Sequence, residues 1–403
     1  MSDRKHSYAI LGAGRQGVAL AYSLAAHAGA ARVILADVDE SLARRAVARL
    51  QALLPGSAGV FESRVTDVAD AIAVRLVIRG ADVAISAVPY RFNVALTDIA
   101  IDCGVSFCDL GGNTGVVRQQ LARHEAATRA KISVVPDCGL APGLGNILAA
   151  HGIAQFDEPI AAHVRCGGLP QQPIGPLGYK LVFNFEGLIN EYSGLGEFLR
   201  DGNRLDVPTL TELEELHFDV PRNRAPGGAS ERLTLEAAVT SGGTSTCPDS
   251  FAGRVRDYDY KTIRYPGHFA MIRALFGLGC FDEEMQTADG EILQPRRVLR
   301  KIMEKQLDFP QMRDMVLLRA AVRGRRGGKE STLQYDLVDF HDDRTGLTSM
   351  ERTTAFPTAL VAAMQARGQI AAGARPLEIC LPTAAYMAEL GRFDIRVETR
   401  NLG

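Results

Sequence analysis

From Tyr8 to about Ala150 short apolar runs alternate with longer stretches whose apolar residues recur at helical spacing. The runs at 8–11, 32–36, 58–62, 83–87, 105–109 and 132–135 read as strands, and segments between them such as DVADAIAVRLVIRG and VVRQQLARHEAATRA read as helices. Strand and helix in strict alternation predict a doubly wound parallel sheet. After about residue 155 the texture changes. RLTLEAAVTSGG, and the pair MVLLRAAVRG and STLQYDLVDF around a glycine-rich turn, read as antiparallel strands. ERTTAFPTALVAAMQARGQIAAG then returns to an apolar helix, expected to break near Pro357. The pattern predicts a Rossmann-type α/β domain over 1–152, with 346–403 packing back on it. An α+β domain on a mainly antiparallel sheet is expected over 153–345, where substrate binding and oligomerisation would reside.

At 403 residues the chain exceeds what one core usually supports, in keeping with two domains. Its 45 basic and 47 acidic side chains leave a formal charge of -2, so no broad basic field draws nucleic acid or an anionic membrane. Small molecules and like subunits, as a homodimer or a multiple of one, are the expected partners. MSDRKHSYAI lacks the apolar core of a secretory signal, and no apolar run approaches the ~20 residues that span a bilayer, so a cytoplasmic protein is expected. The seven cysteines form no C-x-x-C pair, and the eight histidines are scattered, with no H-E-x-x-H or Cys/His cluster; neither a disulfide framework nor a metal site is predicted. RGRRGGKES at 323–331 fails the spacing of a phosphate loop and reads as a solvated hairpin turn.

The candidate chemistry begins at GAGRQG, where Gly12, Gly14 and Gly17 follow a strand and open a helix. Gly12 would permit a sharp turn, Gly14 would let backbone approach a pyrophosphate, and Gly17 would let helix and strand pack closely. Arg15 and Gln16 sit within this loop, over the helix N-terminus that would face the phosphates. Asp37, twenty residues after Gly17, ends RVILAD; its carboxylate would accept from ribose hydroxyls and repel a 2′-phosphate, which favours NAD over NADP. Asp67 would meet the adenine or cap a helix. Ser86, Ala87, Val88 and Pro89 end a strand near the expected nicotinamide ribose, and Leu110 and Gly111 follow the next strand on the same rim.

Several segments together resemble the saccharopine dehydrogenase superfamily, most closely its lysine 6-dehydrogenase branch: GAGRQG, CDLGGNT, VVPDCGLAPGLGNILA, GGLPQQPIGPLGYKLVFNFEGLINEY, YDYKTIRYPGH and TTAFPTALVAAMQARGQI. The resemblance spans nearly the whole chain, with Asn184 and Phe185 departing from the expected smaller or proline-bearing residues. It implies oxidation of an amine-bearing carbon, with hydride passing to NAD and hydrolysis of the imine. For L-lysine the ε-amine would leave as ammonia and the semialdehyde would cyclise to piperideine-6-carboxylate. A saccharopine-forming reductase and a dinucleotide-binding protein without catalysis are the rivals.

Asp109 would orient the amine or accept its proton, or else cap the turn before GGNT. Tyr179 and Lys180 would supply the base, a desolvated Lys180 losing its proton near the cationic nicotinamide, or else form a plain strand face. Arg264 would hold a carboxylate and His268 would titrate near pH 7, unless they are a surface cation and a satisfied histidine. Thr240 and Thr244 in TSGGTST would line the pocket or turn the chain, and Cys138 lies in a candidate active-site loop.

Overall fold

The computed structural model describes residues 5–221 and 229–403. The first domain runs β1 (Ser7–Leu11), α1 (Arg15–His27), β2 (Arg32–Asp37), α2 (Glu40–Leu53), β3 (Phe61–Val65), α3 (Ala71–Ile78), β4 (Val83–Ser86), α4 (Asn93–Cys103), β5 (Ser106–Asp109), α5 (Thr114–Leu121), α6 (His124–Arg129), β6 (Ser133–Val135) and α7 (Leu144–Ile153). These strands pair in parallel in the order β3-β2-β1-β4-β5-β6. β1 is central, and Tyr8, Ala9, Ile10 and Leu11 are buried because helices cover both faces.

The second domain contains β7 (Glu158–Pro170), α8 (Phe185–Tyr192), β8 (Leu195–Arg200), β9 (Asn203–Pro208), β10 (Glu214–Pro221), β11 (Ser230–Val239), α9 (Cys247–Ser250), β12 (Asp257–Arg264), α10 (His268–Gly277), the small hairpin β13 (Met285–Gln286) and β14 (Ile292–Leu293), α11 (Pro295–Gln306), β15 (Asp314–Arg326) and β16 (Lys329–Phe340). The chain ends with α12 (Ser349–Ala366), β17 (Gly373–Ala374) and β18 (Glu398–Leu402) among its last elements. The second sheet is ordered β10-β11-β12-β7-β15-β16-β18, and every pair except β12–β7 on this path is antiparallel. The Rossmann-type sheet with a second α+β domain matches the predicted fold class. β15 and β16 turn at Gly327 and Gly328, both at positive φ, as the hairpin reading of RGRRGGKES requires.

Three details depart from expectation. The third strand lies at Phe61–Val65, not 58–62, because Pro55–Val60 forms a 3-10 helix. β3 is an edge strand whose Glu62 pairs with Arg32 at 2.7 Å, so its own sequence is polar and the apolar run just before it misleads. α12 continues through Pro357. Thr348 and Glu351 fix its start in a capping box, and burial against α1 and β5 outweighs the lost N–H. Finally, α12 and β17 return to the first domain, with β17 pairing in parallel with β6, but β18 crosses back to β16.

α7 joins the two domains. Its Leu144, Ile147 and Leu148 are fully buried, and it packs on β7 and β15, where a Cβ on Gly152 would come within 2.7 Å of Val322. One continuous apolar cluster therefore runs from Tyr8 through Leu148 to Leu318 and Phe356. Among the described residues no helix is long and apolar enough to cross a membrane.

Candidate active site

Gly12 has φ +108°, and a Cβ there would sit 2.7 Å from the Ala87 carbonyl oxygen; a Cβ on Gly17 would sit 1.9 Å from that of Gly12. Both positions are closed to any side chain. At Gly14 a Cβ would meet nothing within 4 Å. That open space lies at the start of α1, where first-turn N–H groups lack helical acceptors and the dipole is positive, so backbone and charge fit the phosphates of a dinucleotide. Beside it, Asp37 is held at the tip of β2: Oδ2 accepts from Ala13 N at 2.9 Å and Oδ1 from Asp39 N at 3.1 Å.

Between the strand ends of the first domain and the face of the second sheet lies a cavity of about 1060 Å³. Residues 87–91 and 110–112 form one wall together with Gln16, and 166–168, Tyr260, Thr262 and Arg264 form the other. Asn190 and Glu191 of α8 reach in from the side, while Arg296 and Arg300 of α11 meet Glu186 at the mouth, at 2.6 and 3.3 Å.

The charged core of the cavity is a pair. Arg264 is 1% exposed, and its Nη2 lies 3.1 Å from Glu191 Oε2. Its Nε donates to Tyr192 Oη at 2.9 Å and Nη1 to the Ile263 carbonyl at 2.9 Å. Burial pushes the Glu191 carboxyl above its ordinary range, with Arg264 pulling against it. Behind Arg264, Tyr192 Oη is 2.8 Å from His268 Nε2, and His268 Nδ1 is 2.9 Å from the Leu177 carbonyl. A carbonyl can only accept, so Nδ1 carries the proton, Nε2 accepts from Tyr192, and Tyr192 accepts from Arg264. Burial and the Arg264 charge push His268 down to about 3. It is a neutral link and does not titrate near pH 7, against the sequence expectation.

Other predicted residues are dispersed. Tyr179 is fully buried behind Arg264, whose guanidinium carbon lies 4.8 Å from its ring centroid, and it packs edge-on against His268. Lys180 is not among the residues lining the cavity; its Nζ donates to the carbonyls of Phe309 at 3.2 Å and Met312 at 2.5 Å. Burial lowers its pKa, as expected, but the amine serves the 309–312 loop. Asp109 accepts from Gly111 N, Asp137 N and Gln120 Nε2, so its buried carboxylate caps the turn, and burial raises its pKa. The Cys138 thiol is buried on the Val135 carbonyl. Thr240 bonds Thr262 at 2.7 Å behind the wall, and Thr244 bonds the Glu197 carbonyl.

On the cofactor side, residues 87–89 and 110–111 line the cavity, but Ser86 Oγ is committed to Asn93. Arg15 turns to Glu351 on α12, and Gln16 reaches the cavity with a buried Oε1 that has no hydrogen-bond partner among the described residues. Asp67 is exposed and closes its own turn through Ala69 N; the helix cap belongs to Asp70. Asn184 caps α8 through Gly187 N, and both Asn184 and Phe185 line the cavity. Among the described residues no group of three or more His, Cys, Asp or Glu could hold a metal ion.

A family model described as the saccharopine dehydrogenase NADP binding domain matches residues 8–135, and one described as the saccharopine dehydrogenase C-terminal domain matches 139–394. The chain belongs to the saccharopine dehydrogenase family. Two relatives in it are saccharopine dehydrogenases [NADP(+), L-glutamate-forming]. The Schizosaccharomyces pombe protein is 26% identical over 236 residues, covering 55% of this chain and 48% of the relative. The Saccharomyces cerevisiae protein is 27% identical over 257 residues, covering 62% and 54%. The chain thus spans about half the length of these relatives. The apo saccharopine dehydrogenase (L-Glu forming) structure from S. cerevisiae superposes with a TM-score of 0.73 at 19% identity, over 99% of this chain and 100% of that one, which is a likeness of fold.

Within this saccharopine dehydrogenase fold, Glu191 is one of the cavity residues that sequence reasoning passed over, with Asn190, Arg296 and Arg300. The signal was present in FEGLINEY: Gly187, Asn190 and Glu191 stand at i, i+3 and i+4, a polar seam beside the apolar stripe of Phe185, Leu188, Ile189 and Tyr192.

Proposed function

We propose that this protein is an NAD-linked dehydrogenase of amino-acid metabolism that oxidises the ε-amine of L-lysine, as in lysine degradation, releasing ammonia and a semialdehyde that cyclises to piperideine-6-carboxylate. The observation that carries this reading is the Arg264–Glu191 pair, a buried guanidinium beside a carboxylate partly open to the cavity, which faces the cavity opposite the strand-end wall. A guanidinium and a carboxylate side by side are complementary to the carboxylate and ammonium of an amino-acid head. Three of the five guanidinium N–H donors are committed to Tyr192, Ile263 and Glu191, leaving two for a carboxylate. Tyr192 and His268 hold the guanidinium plane in place. With the head anchored there, the aliphatic stem extends toward residues 87–90 and 110–112, the wall adjoining the glycine loop.

A dinucleotide held by the Gly14 loop and Asp37 would supply hydride acceptance. The apolar lining from Leu110, Leu140, Leu181 and Phe183 limits water around the reacting carbon. Asp37 supports NAD although the matching model and both relatives carry NADP in their names, because a carboxylate at the tip of β2 would accept from ribose hydroxyls and repel a 2′-phosphate.

Incubation with NAD and L-lysine should yield NADH and ammonia in equal amounts and a cyclic imine. A second reading, oxidation of saccharopine, draws support from Arg296 and Arg300 at the mouth, which would suit a second carboxylate arm, and from the relatives' names. Release of glutamate or 2-oxoglutarate from saccharopine, with lysine inert, would establish it over the first. Failure of every amine to produce NADH or NADPH would leave a dinucleotide-binding protein.

A further inference from the structure

Directly behind the strand-end wall of the cavity sits the carboxylate of Asp137. The residue is buried and is not itself among those lining the cavity. Its side chain lies against Gly111, which does line it: a Cβ on Gly111 would overlap Asp137 Oδ1. The wall between carboxylate and cavity is therefore one glycine backbone thick at this point. Asp137 also holds φ at +59°, in the left-handed region that a residue with a side chain adopts at a cost.

The groups facing Asp137 are acids and thiols. Asp109 approaches from the end of β5, Glu378 from the short helix Leu377–Cys380 and Cys247 from α9, and Cys138 follows it in the loop. The Ser245 hydroxyl and the Gly112 backbone donate to its carboxylate, and among the described residues no Lys, Arg or His nitrogen pairs with it. Asp109 receives three donors, Gly111 N, Asp137 N and Gln120 Nε2, and so keeps the negative charge of the two more readily. Burial, then the Asp109 charge, pushes Asp137 up to about 7.

A buried carboxylate without a counter-ion is stabilised by any cation that comes near it in a low-dielectric surround. At this wall the cation is the pyridinium ring of an oxidised dinucleotide, because open α/β sheets bind ligands outside the carboxyl ends of their strands and the amino-acid head is assigned to Arg264 and Glu191 on the opposite wall. NAD carries that positive ring and NADH does not, while both carry the same pyrophosphate. We infer that Asp137 senses the oxidation state of the dinucleotide through Gly111, ionising as the oxidised form binds and thereby favouring it over the reduced form. The inference rests on the dinucleotide reading of the first domain, not on which amine is oxidised or whether a 2′-phosphate is accepted. A proton leaves Asp137 as NAD binds, so NAD affinity rises with pH through the neutral range and NADH affinity does not.

Calorimetric titration of the full chain at pH 7, in buffers of different ionisation enthalpy, should register roughly 0.4 proton more released with NAD than with NADH. From pH 6 to 8 the Kd for NAD should fall by roughly 5-fold while that for NADH changes by less than about 2-fold. Asp137→Asn, with its fold checked by circular dichroism, should abolish the extra proton and move the Kd ratio by roughly 10-fold toward NADH at pH 8. Ser245→Ala, which takes a donor from the carboxylate, should shift the pH dependence of NAD binding upward, and it reads the same coupling if the Asn variant does not fold. Equal proton release with NAD and NADH, or wild-type release in Asp137→Asn, would overturn the inference and leave the dinucleotide site standing. Failure to bind NAD, NADP or either reduced form would overturn both. Proton release on adding lysine to the free protein, with none on adding NAD, would assign the carboxylate to the substrate ammonium and overturn the inference.

Discussion

Arg264 Nη2 and Glu191 Oε2 stand 3.1 Å apart on the wall of the cavity, one strand and one helix each giving a charge to the same point. If the pair reads an amino-acid head, Glu191→Gln should raise KM for lysine by roughly 10- to 100-fold, the worth of a charge-assisted hydrogen bond, with a smaller change in kcat. Arg264→Lys should do the same, because a point charge does not replace a planar fork. N-α-acetyl-lysine should be a poor substrate for the wild type and should lose less on Glu191→Gln. A fall in kcat exceeding the rise in KM would give Glu191 the reacting proton instead.

The proposed preference for NAD rests on Asp37 at the tip of β2. kcat/KM with NAD should exceed that with NADP by at least roughly 10-fold, and Asp37→Ser should narrow the ratio from both sides as the ribose loses an acceptor and the phosphate loses its repulsion. Equal use of both dinucleotides by the wild type would refute the assignment.

The three glycines separate fold from binding. Gly17→Ala forces a Cβ to 1.9 Å from the Gly12 carbonyl, so soluble yield and Tm should fall sharply. Gly14→Ala adds a methyl to open space within the chain, so Tm of the free protein should hold while dinucleotide affinity falls by roughly 10-fold or more if the phosphates approach this loop as proposed. Thermal shift with and without NAD reads both effects.

The alternating sheet of the first domain was legible because every buried parallel strand leaves an unbroken apolar run, as in YAIL and VILA, and the glycine loop was legible because its roles demand fixed spacing. β3 was displaced because an edge strand carries its polar pairs, Arg32 with Glu62, into the sequence pattern. Pro357 misled because a local rule about one N–H says nothing of the burial on both sides of α12. The cavity charges were harder. Lys180 and Glu191 are eleven residues apart in one motif, and which of them faces the cavity depends on the loop at 309–312, which captures the lysine, and on Arg264 in β12, which captures the glutamate. Such choices between distant partners leave no trace in local periodicity.

Lys180→Met follows from that placement. Removing an amine that serves two backbone carbonyls should cost about 1–2 kcal/mol of stability, seen as a lower denaturant midpoint. kcat should stay within about 3-fold of wild type, well short of the roughly 10²-fold loss of a general base. A base-sized loss of kcat at unchanged KM would return Lys180 to the chemistry.

Asp137 links the two domains and should make stability depend on pH. Its Oδ2 accepts from Ser245 across the domain boundary, and φ is +59°. Burial, then the nearby Asp109 charge, raises its pKa from 3.8 to about 7. A carboxyl raised in the folded state is more readily protonated there than in the unfolded chain, so its contribution is complete below pH ~4 and is lost as pH rises through about 7. Between pH 5.5 and 8 the loss should be about 2 kcal/mol, from one proton released late by the folded state. Asp137→Asn keeps the shape and removes the charge, so urea denaturation should show the variant gaining on wild type by that amount as pH rises across this interval. Parallel curves for the two proteins from pH 5.5 to 8 would mean that Asp137 is already ionised throughout and stabilised by Ser245.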